Sequence, residues 1–127
     1  MRAVDTNVVV RLVVRDELRQ ALAAEEFISK GAWVSHLVLA GTVWVLDAVY
    51  DLAAEEIAVA VDMLLNHKEL TVQDPDVVIL ALGRFRKYPA LGFSDCLLVE
   101  IARKSGHVPI GTFDRDLAKL ESVQRIR

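Results

Sequence analysis

A chain of 127 residues, 54% apolar and 26% charged, is the size of one domain and too rich in core-forming side chains to remain disordered. Its 15 Lys and Arg against 18 Asp and Glu leave a formal charge of −3, which excludes a globally basic nucleic-acid coat and confines any RNA or DNA contact to a local patch. A lone cysteine, Cys96, excludes an internal disulfide and a cysteine-based zinc site, and the longest apolar runs, such as VVILAL (77–82), are too short to cross a bilayer.

In chain order, MRAVDTN reads as a short strand ending in a polar turn. VVVRLVV (8–14) continues into helix, although its β-branched residues also permit a strand. Residues 17–30 have helical spacing, with Leu18, Ala21, Leu22, Phe27 and Ile28 on one broad face and Gly31 as the stop. AWVS (32–35) is a short strand whose Ser35 can cap a helix over about 37 to 50. Residues 54–67 form an amphipathic helix with Ile57, Val61, Leu64 and Leu65 inward. ELTVQD (69–74) is strand-like, 76–87 is helical, and 91–93 is a loop. The segment 94–106 is a helix between Ser94 as N-cap and Gly106 as stop. HVPIGTF (107–113) is a strand, DRDLAKL a short helix, and VQRI (123–126) the last strand. Pro75, Pro89 and Pro109 fall near element boundaries, and no linker or repeat divides the chain.

Strands that alternate with helices throughout favour an α/β fold: one domain over 1–127, a three-layer sandwich with a central, mostly parallel sheet flanked by helices. Ligands of such sheets bind at the carboxyl ends of the strands. Three aspartates take that place: Asp5 after RAV, Asp95 at the start of the 94–106 helix, and Asp114 after GTF. Asp116 follows two residues later, and Thr6, Asn7, Ser94 and Thr112 flank the acids. Carboxylates that share a cleft either rise in pKa or gather a cation. With no Cys or His beside them in sequence, the donor set is all oxygen, which suits Mg²⁺ or Mn²⁺ and, with it, phosphodiester hydrolysis. The simpler alternative for each acid is a helix cap or a partner of the helix dipole.

DTN (5–7), VWVL (43–46), FSD (93–95) and TFDRDL (112–117), taken in order, resemble a PIN domain, most of all the VapC-type toxins of bacterial toxin–antitoxin pairs. The resemblance spans nearly the whole chain. It implies a parallel sheet with helices on both faces and a Mg²⁺- or Mn²⁺-dependent endoribonuclease acting on RNA such as tRNA. It also implies a homodimer or higher assembly held inactive by a small VapB-type antitoxin. Carried over by position, the metal-site acids are Asp5, Asp95 and Asp114, with Asp116 as a further acid of some members. Asn7, Ser94 and Thr112 match polar positions around that site. One acid is missing: relatives read LLExxWVL, with Glu three residues before Trp, and here that position is Gly41. Gly41 would share an inward face with Leu37, Val38, Trp44, Val45 and Ala48. The expectation is an inactivating replacement of a metal-site carboxylate, introduced or selected; the alternatives are a naturally degenerate member or a shifted alignment, with Glu55 or Glu56, a helix away, serving instead.

Arg11, Arg15 and Arg19 would line up as a phosphate-gripping stripe if helix persists through them, and Arg84, Arg86 and Lys87 form a second candidate RNA contact. Against this, Asp16 and Glu17 interrupt the first group, and cations at a helix C-terminus are favoured anyway. His36, His67 and His107 read as structural or exposed. Cys96, Trp44, Tyr50 and Phe27 read as core, and Trp33 as core or interface. A soluble, cytoplasmic protein is expected. Two other functions compete with the ribonuclease: a catalytically inactive PIN fold that binds antitoxin or RNA without cutting, and a phosphotransfer receiver-like domain, whose mid-chain acceptor and late lysine are absent in the required context.

Overall fold

The computed structural model describes residues 1–127 as six helices and five short strands. By packing, the chain divides into two compact units, Met1–Pro75 and Asp76–Arg127.

In the first unit β1 (Arg2–Ala3), β2 (Ala32–Val34) and β3 (Leu70–Val72) form a parallel sheet in the order β1-β2-β3. The register sets Ala3 opposite Trp33 and Val34 opposite Val72. Each strand runs into a helix through a polar residue. Asp5 caps α1 (Thr6–Val14), accepting the Val8 N–H at 3.1 Å, and Ser35 caps α3 (His36–Ala48), accepting the Val38 N–H at 3.1 Å. Thus the run of valines after DTN is helix, because a capped start and a buried stripe of Val9, Val10 and Leu12 outweigh β-branched propensity. The helix ends at Arg15, which is left-handed at φ 58°; Arg11, Arg15 and Arg19 therefore do not form a continuous helical stripe. α2 (Leu18–Ile28) buries Ala21, Ala24 and Ile28, while Leu18, Leu22 and Phe27 of the expected face are exposed. Small alanines let α2 sit close to α1, and close packing leaves the larger side chains at the rim.

α3 corrects the expected orientation more sharply. It buries Leu39, Thr42, Val43 and Leu46, while Leu37 and Trp44 are 83% and 65% exposed. Ala48 is exposed too, and Val38, Gly41 and Val45 lie at the margin. HLVLAGTVWVLDA is apolar nearly all round, so no polar face marks its solvent side. Trp44 is therefore not core, Phe27 and Trp33 are partly exposed, and Tyr50 is half-buried. α4 (Ala54–Asn66) follows expectation: Ile57, Val61 and Leu64 are buried and Leu65 is half-buried.

In the second unit α5 (Pro75–Lys87) is followed by a 3-10 turn at Pro89–Leu91 and by α6 (Phe93–Lys104). β4 (Ile110–Thr112) and β5 (Val123–Arg125) pair in parallel, Thr112 opposite Arg125. The expected strand over 107–113 thus shrinks to three residues, and the DRDLAKL helix to a 3-10 turn at Leu117–Lys119. Leu117 and Leu120 pack with Val99 of α6, flanked by Leu91, Ile110 and Val123. Phe85 and Phe93 meet edge to face, with centroids 6.0 Å apart. Gly92, at φ 80°, is the N-cap of α6 in place of Ser94; its backbone turns into the helix in a region that side chains avoid, and its carbonyl receives the Cys96 N–H.

A buried charge cluster ties α5 to α6. Glu100 is 4% exposed; its Oε1 accepts from Arg84 Nε at 3.3 Å and lies 3.7 Å from an Arg103 guanidinium nitrogen. Removing the carboxylate strands two partly buried cations. Glu100→Ala is expected to lower stability by about 2–3 kcal/mol, below the ~3–5 kcal/mol of a fully buried pair because both arginines reach water. A double replacement, Arg84→Met with Glu100→Met, should recover most of that loss in urea unfolding.

Candidate functional site

Asp5 is exposed at the mouth of the first unit, one carboxylate oxygen held by the Val8 amide through its cap. Thr6 and Asn7 continue into the first turn of α1. A cleft of about 460 Å³ opens beside Asp5, lined by Asn7, Val8, Arg11, Gln20, Ala23, Ala24 and Phe27. At its far end Arg11 donates to Gln20 Oε1 at 2.7 Å, to Asp16 at 3.0 Å and to the Tyr50 hydroxyl at 3.0 Å. Tyr50 in turn donates to Asp16 at 3.0 Å. The Tyr50 hydroxyl is the first cause raising the Arg11 pKa, with burial opposing and Asp16 adding. No sequence signal marks this network, because Tyr50 lies 39 positions from Arg11.

Gly41 faces this end of the unit. A Cβ built there would stand 2.7 Å from Thr6 Oγ1, inside any tolerated contact. The space that a side chain at 41 would enter is taken by the hydroxyl of the residue next to Asp5. Thr6 is thus the residue that sequence reasoning left as a mere neighbour of Asp5; its place in DTN was the one available hint. The other polar positions are Asn7, exposed on α1, and Ser94, exposed in the first turn of α6.

In the second unit Asp95 lies within the field of Asp114 although 19 positions separate them in the numbering. Asp95, half-buried in the first turn of α6, is raised in pKa by its burial first and by the charge of Asp114 second. Asp114 is exposed and clamped by backbone: its Oδ1 accepts the N–H groups of Asp116 at 2.8 Å and Leu117 at 3.1 Å. The Thr112 hydroxyl accepts the Asp114 N–H at 3.0 Å. This is what TFDRDL does locally: the short strand ends, the chain turns on an aspartate, and the carboxylate is fixed. Asp116 pairs with Lys119 at 3.3 Å on the surface. Cys96 is buried, with its thiol pushed up to about 11 by burial and by Asp95, so it is a core residue and no nucleophile at neutral pH.

Among the candidate RNA contacts, Arg11 and Arg84 are engaged within the chain and Arg15 pairs with Glu25. Lys87 lies over the Tyr88 ring at 5.3 Å, and Arg86 is exposed. No three His, Cys, Asp or Glu side chains are grouped closely enough to hold a metal ion. The Asp95–Asp114 pair nevertheless fits a cation chemically: two like charges, one of them half-buried, with only oxygen donors.

The sign of the Asp95 shift sets a test. A carboxyl raised in the folded state stabilises the fold below its ordinary pKa, and that contribution is lost as pH rises through the raised value. In metal-free protein at pH 7, Asp95→Asn should therefore raise the melting temperature. Asp114→Asn should bring the Asp95 pKa only part of the way down, since burial is the larger cause; a carboxyl-detected NMR titration reads this directly.

The PIN domain model matches residues 2–123, from β1 to the start of β5. No curated protein and no solved structure matches the chain. A match running through both units, over capped Asp5, the Asp95 turn and clamped Asp114 in that order, leaves one conclusion: the chain belongs to the PIN domain family.

Proposed function

We propose that the protein is the toxin of a VapC-type toxin–antitoxin module, a divalent-metal-dependent endoribonuclease in which Gly41 has weakened the site. The family match over residues 2–123 carries this reading, since PIN domains are generally metal-dependent nucleases. Both units then belong to one domain, and Asp5, Asp95 and Asp114 hold Mg²⁺ or Mn²⁺, with Asp116 at the margin. Asn7, Ser94 and Thr112 orient water and phosphate oxygens around them.

A bound divalent cation supplies charge to a phosphoryl group and acidity to water. The chain's own part is to hold its acids still. Asp5 keeps one oxygen on the Val8 amide, leaving the other for a ligand. Asp114 keeps Oδ1 on two backbone amides in the same way. Asp95, half-buried, is costly to ionise alone, and a cation held by Asp95 and Asp114 would offset that cost. Divalent metal should stabilise the wild-type protein and do so less in Asp95→Asn.

A second reading has a specific observation behind it. With Thr6 Oγ1 in the space before Gly41, the site lacks its fourth acid, and Thr6 in its present rotamer fills the place of one. Such a protein would engage antitoxin or RNA without cutting. Side chains such as Leu37 and Trp44, exposed on α3, are consistent with a partner-bearing surface, whether for a second copy or for a VapB-type antitoxin.

Gly41→Glu separates the two readings. Thr6 must turn to another rotamer to admit it, a small change for a side-chain hydroxyl. With Mn²⁺ the variant is expected to cleave RNA at least about 10–100-fold faster than the wild type, the scale for restoring a lost metal-site partner. Gly41→Gln should show no such gain. A folded Gly41→Glu protein that binds Mn²⁺ yet cuts no RNA faster than the wild type would favour the binding protein.

A further inference from the structure

Asp5 is the end of a cleft that the metal chemistry does not use. Its floor is apolar, made by Val8, Ala23, Ala24 and Phe27, and its rim carries two amides, Asn7 and Gln20. We propose that this cleft is a nucleobase subsite, taking the base next to the scissile phosphodiester, with Phe27 as stacking platform and Asn7 and Gln20 as readers of the base edge. The proposal rests on the ribonuclease reading of Asp5 and deepens it.

The size and chemistry agree. About 460 Å³ is in the range of small-ligand sites and is open enough for a flat ring to enter. Phe27 is 41% exposed, which is costly for a phenyl ring unless something covers it. The Arg2 guanidinium lies 4.5 Å from the Phe27 centroid, so the ring is already braced from one side. Gln20 has its carbonyl oxygen committed to Arg11 Nε, which orients the amide and leaves its NH₂ donors for a ligand. Asn7, exposed on the first turn of α1, offers a donor and an acceptor from one side chain, the pattern that pairs with base edges.

Charge distinguishes the cleft from its neighbour. Its one lining cation, Arg11, is paired with Asp16 and is not free for a phosphate. On the other side of Phe27 a second cleft of about 410 Å³ shares Ala23 and Phe27 and is lined by Arg2 and Lys30, with Glu26 and Ser29. Phe27 therefore separates an amide-rimmed, apolar cleft from one with two cations and a single acid. A base on the first side and the next phosphate on the second is the arrangement of a single strand crossing an aromatic platform. A docked peptide helix would instead need apolar pockets repeating along the groove, whereas this cleft carries Asp5, Asn7, Arg11 and Gln20 among its lining residues.

The probe is a 2′-O-methyl RNA trinucleotide, which resists cleavage, titrated into the full-length protein and followed through the Asn7 and Gln20 side-chain amide signals. Those signals are expected to shift, and Phe27→Leu to weaken binding roughly 5- to 100-fold, the scale of one lost base–aromatic stack. Phe27→Trp should retain affinity. Lys30→Ala, at the second cation of the neighbouring cleft, should weaken the trinucleotide in a salt-dependent way and leave a free nucleoside unaffected. Binding that ignores Phe27→Leu, shifts confined outside α1 and α2, or no binding at millimolar trinucleotide would overturn the subsite. So would displacement of the trinucleotide from these residues by a Leu-rich amphipathic helical peptide. The ribonuclease reading stands or falls separately, on Mn²⁺-dependent cleavage by Gly41→Glu. If that fails while Asn7 and Gln20 still report the trinucleotide and Phe27→Leu still weakens it, the subsite holds in a protein that binds RNA without cutting.

Discussion

Backbone amides fix two strand-end acids of this protein, Asp5 and Asp114, and the local fold around each depends on that. The Val8 N–H on Asp5 and the Asp116 and Leu117 N–H groups on Asp114 are bonds that begin a helix and close a turn. Each also holds its carboxylate in one orientation, with the second oxygen outside the cap or turn. The helix-cap reading and the catalytic reading of these aspartates are therefore compatible. Capping uses one oxygen and leaves the other; a residue can fold the chain and serve the site with the same side chain.

Asp95 shows the opposing demand. Its half-burial beside Asp114 is unfavourable for a charged group and costs stability at neutral pH. Around it the second unit is conservative: Cys96 is a protonated core thiol, and Glu100 is a buried anion matched by Arg84 and Arg103. The contrast distinguishes a carboxylate satisfied by its own chain from one that is not.

Gly41 joins the sequence and the site through one close approach. Glycine inside a helix costs about 1 kcal/mol against alanine, so its presence in α3 calls for a local reason. The reason is the Thr6 hydroxyl, 2.7 Å from where a Cβ would lie. Position 41 and position 6 are thus one steric unit, and a side chain at 41 acts on the residue beside Asp5 before it acts on anything else.

The order of elements, the capping residues Asp5 and Ser35, the strand-end aspartates and the parallel pairing were all legible in the residues, because caps, turns and alternation of strand with helix are local. The family, too, was legible from DTN, FSD and TFDRDL, and the match over residues 2–123 bears it out. The faces of α2 and α3 were not. Where a helix is apolar all round, only its neighbours decide which side is buried, and they left Trp44, Leu37 and Phe27 outside. Nor could the sequence reveal that Arg11 is locked to Tyr50, that Gly92 rather than Ser94 starts α6, or that Asp95 and Asp114 share a field. Local chemistry fixes what each residue can do; packing and the electrostatics between distant segments decide which residues meet.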